Sequence, residues 1–259
     1  MAKAKSTKGK VERKVNKLKF KVVMLKISGE GLAGKNGCFD GETFRKLARR
    51  VKRLRDMGVM VIIVVGGGNI LRGSQMKDLN PDNLKEVAEA GHKAGMLATC
   101  INSILLANQL EVLGVPVYLT SARKTFGMPK VFESAPVQEA LRSGKVVVHG
   151  GGMGVTGIST DTATVKLGYD AQVDIVAMAK NGTDGIYAED PKKNPNAQFF
   201  KEISASEFLE RGLKQVIDSV AVEFARDKGL TLAVFNSEND TAVEEIVQGK
   251  QVGSLVLPK

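Results

Sequence analysis

The chain has 259 residues, 43% of them hydrophobic and 25% charged, a globular balance that excludes a disordered chain. Its 28 glycines follow no Gly-X-Y period, which excludes collagen, and no run of about 18 apolar residues is present, so no membrane-spanning helix is expected. Two cysteines, Cys38 and Cys100, are too few for a disulfide framework or a cysteine-built zinc site, and the start lacks a signal peptide's apolar core, so a cytoplasmic location is expected. The formal net charge is +10, and residues 1–20 carry about +7 of it, with eight Lys or Arg against Glu12. The excess therefore sits on a basic arm, expected to be a flexible, solvated tail with weak polyanion contact as its secondary use.

Beyond the arm the chain alternates strand and helix. Val22–Ile27 reads as a buried strand, interrupted by Lys26 and followed by the loop Ser28-Gly29-Glu30-Gly31. Phe44, Leu47, Val51, Leu54 and Met57 recur at helical spacing, with seven basic residues on the other face and Gly58 as the stop. Val59–Val65 is an unbroken apolar run, the mark of a strand covered on both sides, and it runs into Gly66-Gly67-Gly68-Asn69. Helices are expected over 95–113, 136–142, 160–167, 205–212 and 216–228, and strands over 115–119, 145–149, 173–179 and 231–235. Asp240 is a candidate cap for a helix over 241–248, and 252–257 reads as a last, edge strand. This cadence predicts a doubly wound or three-layer α/β fold, with a lobe boundary near residue 170.

Three strands end in glycine loops, where backbone amides approach phosphate oxygens closely and ligands of open α/β sheets bind. Neither GxxxxGK[ST] nor a GxGxxG after a strand occurs, which disfavours P-loop ATPases and Rossmann dehydrogenases. Lys26, inside an apolar strand, calls for an anionic partner, either a transferred phosphoryl group or a carboxylate. Arg72 is a candidate for bidentate phosphate binding, with a plain surface role as the other reading. Ser159-Thr160-Asp161 after the third glycine loop fits a helix cap, hydroxyls aimed at phosphate, and a carboxylate that orients a cation or a lysine. In AKNGTDGIYAEDP (179–191), Tyr187 is placed to pack on a ribose or base and Asp190-Pro191 to fix a turn. His92 and His149 stand too far apart in sequence for a histidine zinc motif.

Six blocks, LKISGE (25–30), VVGGGNILRG (64–73), GMLATCIN (95–102), STDTAT (159–164), AKNGTDGIYAEDP and AVFN (233–236), together resemble the bacterial uridylate kinase (UMP kinase) family of the amino-acid-kinase superfamily. The resemblance covers about residues 20–258. It implies a three-layer α/β/α, carbamate-kinase-like fold with a mostly parallel central sheet. Residues 21–170 would form the lobe for the phosphoryl acceptor, and 171–259 the lobe for ATP. The implied reaction moves the γ-phosphoryl of ATP to UMP with Mg²⁺, giving UDP and ADP. Lys26 and Asp161 are the implied catalytic pair. Gly67, Arg72, His92, Gly152, Val155, Thr156, Ser159 and Thr160 would bind UMP. Lys26, Ser28, Gly29, Gly31, Gly68, Asn181, Tyr187 and Asp190 would bind ATP, and Mg²⁺ would be held through phosphates rather than by a protein ligand set. The family is also a homo-oligomer, a hexamer built as a trimer of dimers, with GTP and UTP as effectors.

The acceptor end departs from the family pattern. His92 stands where the family carries an acidic residue for the ribose hydroxyls, with Glu89 as a substitute if the helix register shifts, Val155 replaces an Asn, and Gly157 an aromatic. Weaker UMP binding or a changed acceptor is expected. A same-fold kinase with another small-molecule or nucleotide acceptor, and a non-catalytic nucleotide-binding regulatory or storage protein, remain open at this level. The basic helix face and arm also permit a nucleic-acid side role.

Overall fold

The computed structural model describes residues 17–34, 37–71, 84–213 and 216–259. The β-branched runs become the first two strands, β1 (Val22–Ile27) and β2 (Met60–Val65), which pair in parallel. Between them lie a 3-10 turn (Gly29–Leu32) and helix α1 (Gly41–Asp56). Asp40 starts α1 by accepting from the Glu42 amide and the Thr43 hydroxyl, and Gly58 ends it in the left-handed conformation. Helix α2 (Leu84–Val112) begins at Leu84 rather than Gly95, because small residues such as Ala88, Ala90 and Gly91 hide its apolar period. There follow β3 (Val117–Ser121), α3 (Ser134–Arg142), β4 (Val146–Gly150), α4 (Thr160–Asp170) and β5 (Ile175–Lys180). The last part of the chain adds β6 (Ile186–Tyr187), β7 (Phe199–Phe200), β8 (Glu202–Ser204), α5 (Ala205–Glu210), α6 (Ser219–Lys228), β9 (Leu232–Asn236), α7 (Ala242–Val247) and β10 (Ser254–Leu257).

Eight strands form one sheet in the order β3-β4-β2-β1-β5-β9-β10-β8, while β6 and β7 pair separately. Among the described residues the pairing of β9 with β10 is antiparallel and the others in the large sheet are parallel, so β10 and β8 run opposite to the rest. The side-chain alternation of each strand feeds two cores. Met24, Ile62, Val64 and Met178 face α3 to α6, whereas Val23, Leu25, Val61 and Ile63 face α1, α2 and α7. This is the three-layer α/β/α, mostly parallel architecture expected. The sheet continues unbroken across residue 170, through the β1–β5 pair.

Three local expectations are corrected. β10 is interior, and β8 takes the edge, since three residues are too short to display a strand period. Thr241, not Asp240, stands at the start of α7 without a side-chain cap, and Asp240 instead pairs with Arg50. The basic face of α1 is partly neutralised: Arg45 and Arg49 share Glu42, Lys52 binds Asp56, and Arg53 binds Glu244 at 2.6 Å. Arg50 and Arg53 tie α1 to Asp240 and to Glu244 of α7. The start of the described chain is also tied down. Leu18 and Phe20 pack on the α1 side, and the amides of Lys19 and Phe20 donate to the Val247 carbonyl. Among the described residues no helix is long and apolar enough to cross a membrane.

Candidate active site

The site grows from the carboxyl ends of β1 and β5. Lys26 shares a strand face with Met24 along β1, and Lys180 with Met178 along β5. Both methionines face the α4 side, so both lysines project there, toward the first turn of α4. Asp161 lies in that turn. Its Oδ2 accepts from Lys180 Nζ at 2.7 Å, and its Oδ1 lies 3.2 Å from Lys26 Nζ. Oδ1 makes this ion pair without a well-directed hydrogen bond. All three side chains are 10–14% exposed. Burial acts to raise the Asp161 carboxyl, but the charges and hydrogen bonds of Lys26 and Lys180 outweigh it and hold it below the usual range. Burial, with the Lys26 charge second, pushes Lys180 below the usual lysine range against the pull of Asp161. Two lysines converge on one buried aspartate, with the carboxylate of Asp218 a weaker second influence on Lys180, and the paired ammonium groups suit a transferring phosphoryl group.

Two cavities are lined by residues adjacent in sequence to this cluster. The larger, about 540 Å³, is lined by Gly67, Gly68, His92, Gly152, Val155, Ser159 and Thr160, with Leu71, Met96 and Ile158 as its apolar wall. Thr160 immediately precedes Asp161. The other, about 340 Å³, is lined by Asn181, Tyr187 and Asp190 together with Lys192 and Lys193, and Asn181 immediately follows Lys180. The expected site residues thus separate into two groups, one in each cavity. Gly68, grouped with ATP by resemblance, lines the first cavity instead, because the 66–71 loop folds toward α2. Thr156 is exposed and outside the cavity lining. Arg72 lies outside the described residues. Glu89 does not take the place of His92: it pairs with Lys93 at 2.7 Å, and His92 forms the wall.

Several of these residues also hold the scaffold. Gly29 touches backbone on both sides: an added Cβ would lie 2.5 Å from Gly68 N and 2.6 Å from Gly66 O. Gly67 meets α2 at Ala98 and Gly95 in the same way. The Gly29 and Gly66 turns therefore pack backbone against backbone, with the Gly66 amide donating to the Ile27 carbonyl at 2.8 Å. Gly31 abuts Asn181, joining the 3-10 turn with Ser28 at its start to the second cavity. Ser159 caps α4 through the Thr162 amide, and its hydroxyl is 2.6 Å from Asp218. Asp190 accepts from the Lys192 amide, making the expected turn, and Tyr187 packs against Phe199 at 5.0 Å.

Three residues of the site escaped the sequence reading. Lys180 was hidden as one basic residue beside a turn, although its place at the end of an apolar strand is the same signal that singled out Lys26. Asp218 starts α6 and accepts from Thr162 and Ser159, tying α6 to α4. Asn102, fully buried in α2, exchanges amide hydrogen bonds with Asn69 and donates to Gly66 O, fixing the GGGN loop. Nothing in its local pattern announces that role.

The model of the amino acid kinase family matches residues 21–236. The UMP kinase of Bacillus anthracis is 28% identical, with a TM-score of 0.87 over 93% of this chain and 97% of its own. The UMP kinase of Ureaplasma parvum is 30% identical, with a TM-score of 0.83 over 92% and 98%. The uridylate kinase of Archaeoglobus fulgidus, 23% identical with a TM-score of 0.67 over 90% and 99%, shares the fold. With the family model spanning most of its length and two lysines bridged by one aspartate at the strand ends, the chain belongs to the amino acid kinase family, as a kinase of the group that resembles the bacterial UMP kinases.

Proposed function

We propose that the protein transfers the γ-phosphoryl group of ATP to UMP, giving UDP and ADP, by direct in-line attack. The observation that carries this reading is the buried Lys26–Asp161–Lys180 cluster at the strand ends, whose sequence neighbours Thr160 and Asn181 line the two cavities. The 540 Å³ cavity, on residues of 21–170, would take the acceptor, and the 340 Å³ cavity, on 171–259, would take ATP. The two UMP kinases similar over nearly the whole chain support UMP as the acceptor.

The chemistry needs charge and alignment more than a base. A phosphate oxygen of the acceptor is already anionic near neutrality, so no proton has to be removed from it. Lys26 and Lys180 would meet the oxygens of the group in flight, and Asp161 keeps both ammonium groups aimed. Amides of Gly67, Gly68 and Gly152 would hold the acceptor phosphate, with the Thr160 hydroxyl beside them, since the Gly66 and Gly151 amides already donate to Ile27 O and to the Thr99 hydroxyl. Asn181, Tyr187 and Asp190 would border the nucleoside of ATP. Because Asp161 is taken up by two lysines, Mg²⁺ would be held mainly by phosphate and water oxygens, which suits an ion that dehydrates reluctantly. When bound, the ion would neutralise phosphate charge.

Since Lys180 is held below the usual lysine range, turnover is expected to fall on the alkaline side before an ordinary lysine would lose its proton. Lys180→Arg should move that limb to higher pH. A profile flat beyond pH 10, or one unchanged in the variant, would contradict the role. The deciding assay is Mg²⁺-ATP with UMP, CMP, dUMP, dTMP, carbamate, aspartate and acetylglutamate, scored as ADP formed against Lys26→Ala. ADP that depends on UMP and is absent in the variant supports the reading. Turnover with another acceptor moves it within the fold, which is the second reading His92 and Val155 favour. ATP binding without turnover would favour a regulatory protein.

A homo-oligomer is proposed through α2. Its sequence carries no charge from Ala94 to Leu110, and Leu97, Ile101, Ile104 and Leu105 stand exposed on the helix. An uncharged apolar face of this kind suits a second copy of itself. Ile101→Arg is expected to lower the oligomeric state in light-scattering measurements, and an unchanged mass would exclude this face.

A further inference from the structure

His92 and His149 are the only histidines of the chain. They come from different elements, α2 and β4, yet both bind the backbone of one loop. His149 is fully buried, and its Nε2 is 2.8 Å from the Gly152 carbonyl. A carbonyl only accepts, so Nε2 carries the proton and the Thr120 hydroxyl, 3.2 Å away, donates to Nδ1. Phe132 closes the ring in edge-on at 5.1 Å. Burial, little offset by the Gly152 bond, pushes His149 down to about 4, so it stays neutral at working pH. His92 is at the other end: its Nδ1 accepts from the Gly157 amide at 3.2 Å.

The segment between these bonds is weakly self-supporting. Gly151, Gly152, Gly154 and Gly157 all take positive φ, and Val155 is half exposed. Glycine-rich chain has much conformational freedom to lose, so an ordered shape must be imposed from outside. Upstream, Gly151 is already fixed by Thr99. From Gly152 to Ile158, the two histidine bonds are the side-chain hydrogen bonds to the rest of the protein among the described residues, and Met153 adds an apolar contact to the core on the α3–α6 side. This same segment supplies Gly152, Val155, Gly157 and Ile158 to the wall of the 540 Å³ cavity.

We propose that His149 and His92 are positioning residues that clamp the 152–158 loop, His149 at its start through Gly152 and His92 at its far end through Gly157, and thereby set affinity for the phosphoryl acceptor. The acceptor part of this rests on the reading of the 540 Å³ cavity given above. His149 is the permanent rivet, enclosed and neutral. His92 is the exposed latch, and its loss releases the loop without opening the core.

Hydrogen exchange of the ligand-free full chain tests the clamp, and steady-state kinetics tests its use. In His92→Ala, exchange in the peptide covering 152–158 should quicken about tenfold. KM for UMP should rise about fivefold to tenfold, the scale of one lost hydrogen bond, with kcat changed less than about twofold. His92→Asn places an amide oxygen near the Nδ1 position and should restore both. His149→Gln keeps a donor for Gly152 and should stay near the parent, whereas His149→Leu should quicken exchange at 150–154. Should His149→Leu fail to fold, the His92 pair still decides. Unchanged exchange in His92→Ala, or quickened exchange with an unchanged KM, would overturn the proposal. If the parent protein does not phosphorylate UMP, the acceptor reading falls, and the exchange comparison by itself decides the clamp.

Discussion

Asp161→Ala is expected to be the most damaging single change in the protein. It leaves Lys26 and Lys180 together, both largely buried, with the carboxylate that each faces removed. Breaking a buried ion pair from one side costs about 3–5 kcal/mol, because the remaining charge keeps its desolvation penalty without its partner. Here two like charges remain, so denaturant unfolding should show a loss at the upper end of that range. Turnover should fall about a hundredfold or more, since the lysines lose their common aim. The dependence on pH has a definite sign. Asp161 is held below the usual carboxylate range, so its contribution to stability is complete above about pH 4 and is lost as pH falls through its depressed value. The variant should lack that part of the acid destabilisation. A variant within 1 kcal/mol of the parent, as an order-of-magnitude limit, would refute the argument.

Lys26→Met should behave in the opposite way. It removes one of two cations, and Asp161 keeps its 2.7 Å bond to Lys180, so no buried charge is stranded. Methionine matches the length and the apolar surroundings of the lysine stem, where Met24 and Met178 already lie. Stability should therefore stay within about 1 kcal/mol of the parent. Turnover should fall about a hundredfold to a thousandfold, the usual cost of removing one group that meets developing charge. KM for ATP should change little by comparison. Turnover within tenfold of the parent would show that Lys26 is structural. The contrast between the two variants, one unstable and inactive, the other stable and inactive, separates the positioning role of Asp161 from the electrostatic role of Lys26.

The strands were legible because burial on both faces demands unbroken apolar runs. Val22–Ile27 and Val59–Val65 declared themselves, and the lysine inside the first pointed to the site. α1 was legible for a related reason, since one apolar stripe at helical spacing faces the sheet. β8 was not, because three residues cannot show a period and its pairing with β10 joins elements some fifty residues apart. The early start of α2 is not legible because, after Leu84 and Val87, only small, polar and charged residues follow until Met96.

Sequence alone, then, determined the class of fold and singled out Lys26 and Asp161 as candidates, because strand period and a lysine inside an apolar run are local properties. Tertiary structure decided which groups meet. The parallel neighbours β1 and β5 bring Lys180 beside Lys26, residues that lie in separate halves of the chain. The same folding turns the basic face of α1 toward the acids of α7 and brings two distant histidines to one loop. Such encounters depend on strand order and helix placement, which arise from the burial of the whole sheet and leave no mark in any short stretch of sequence.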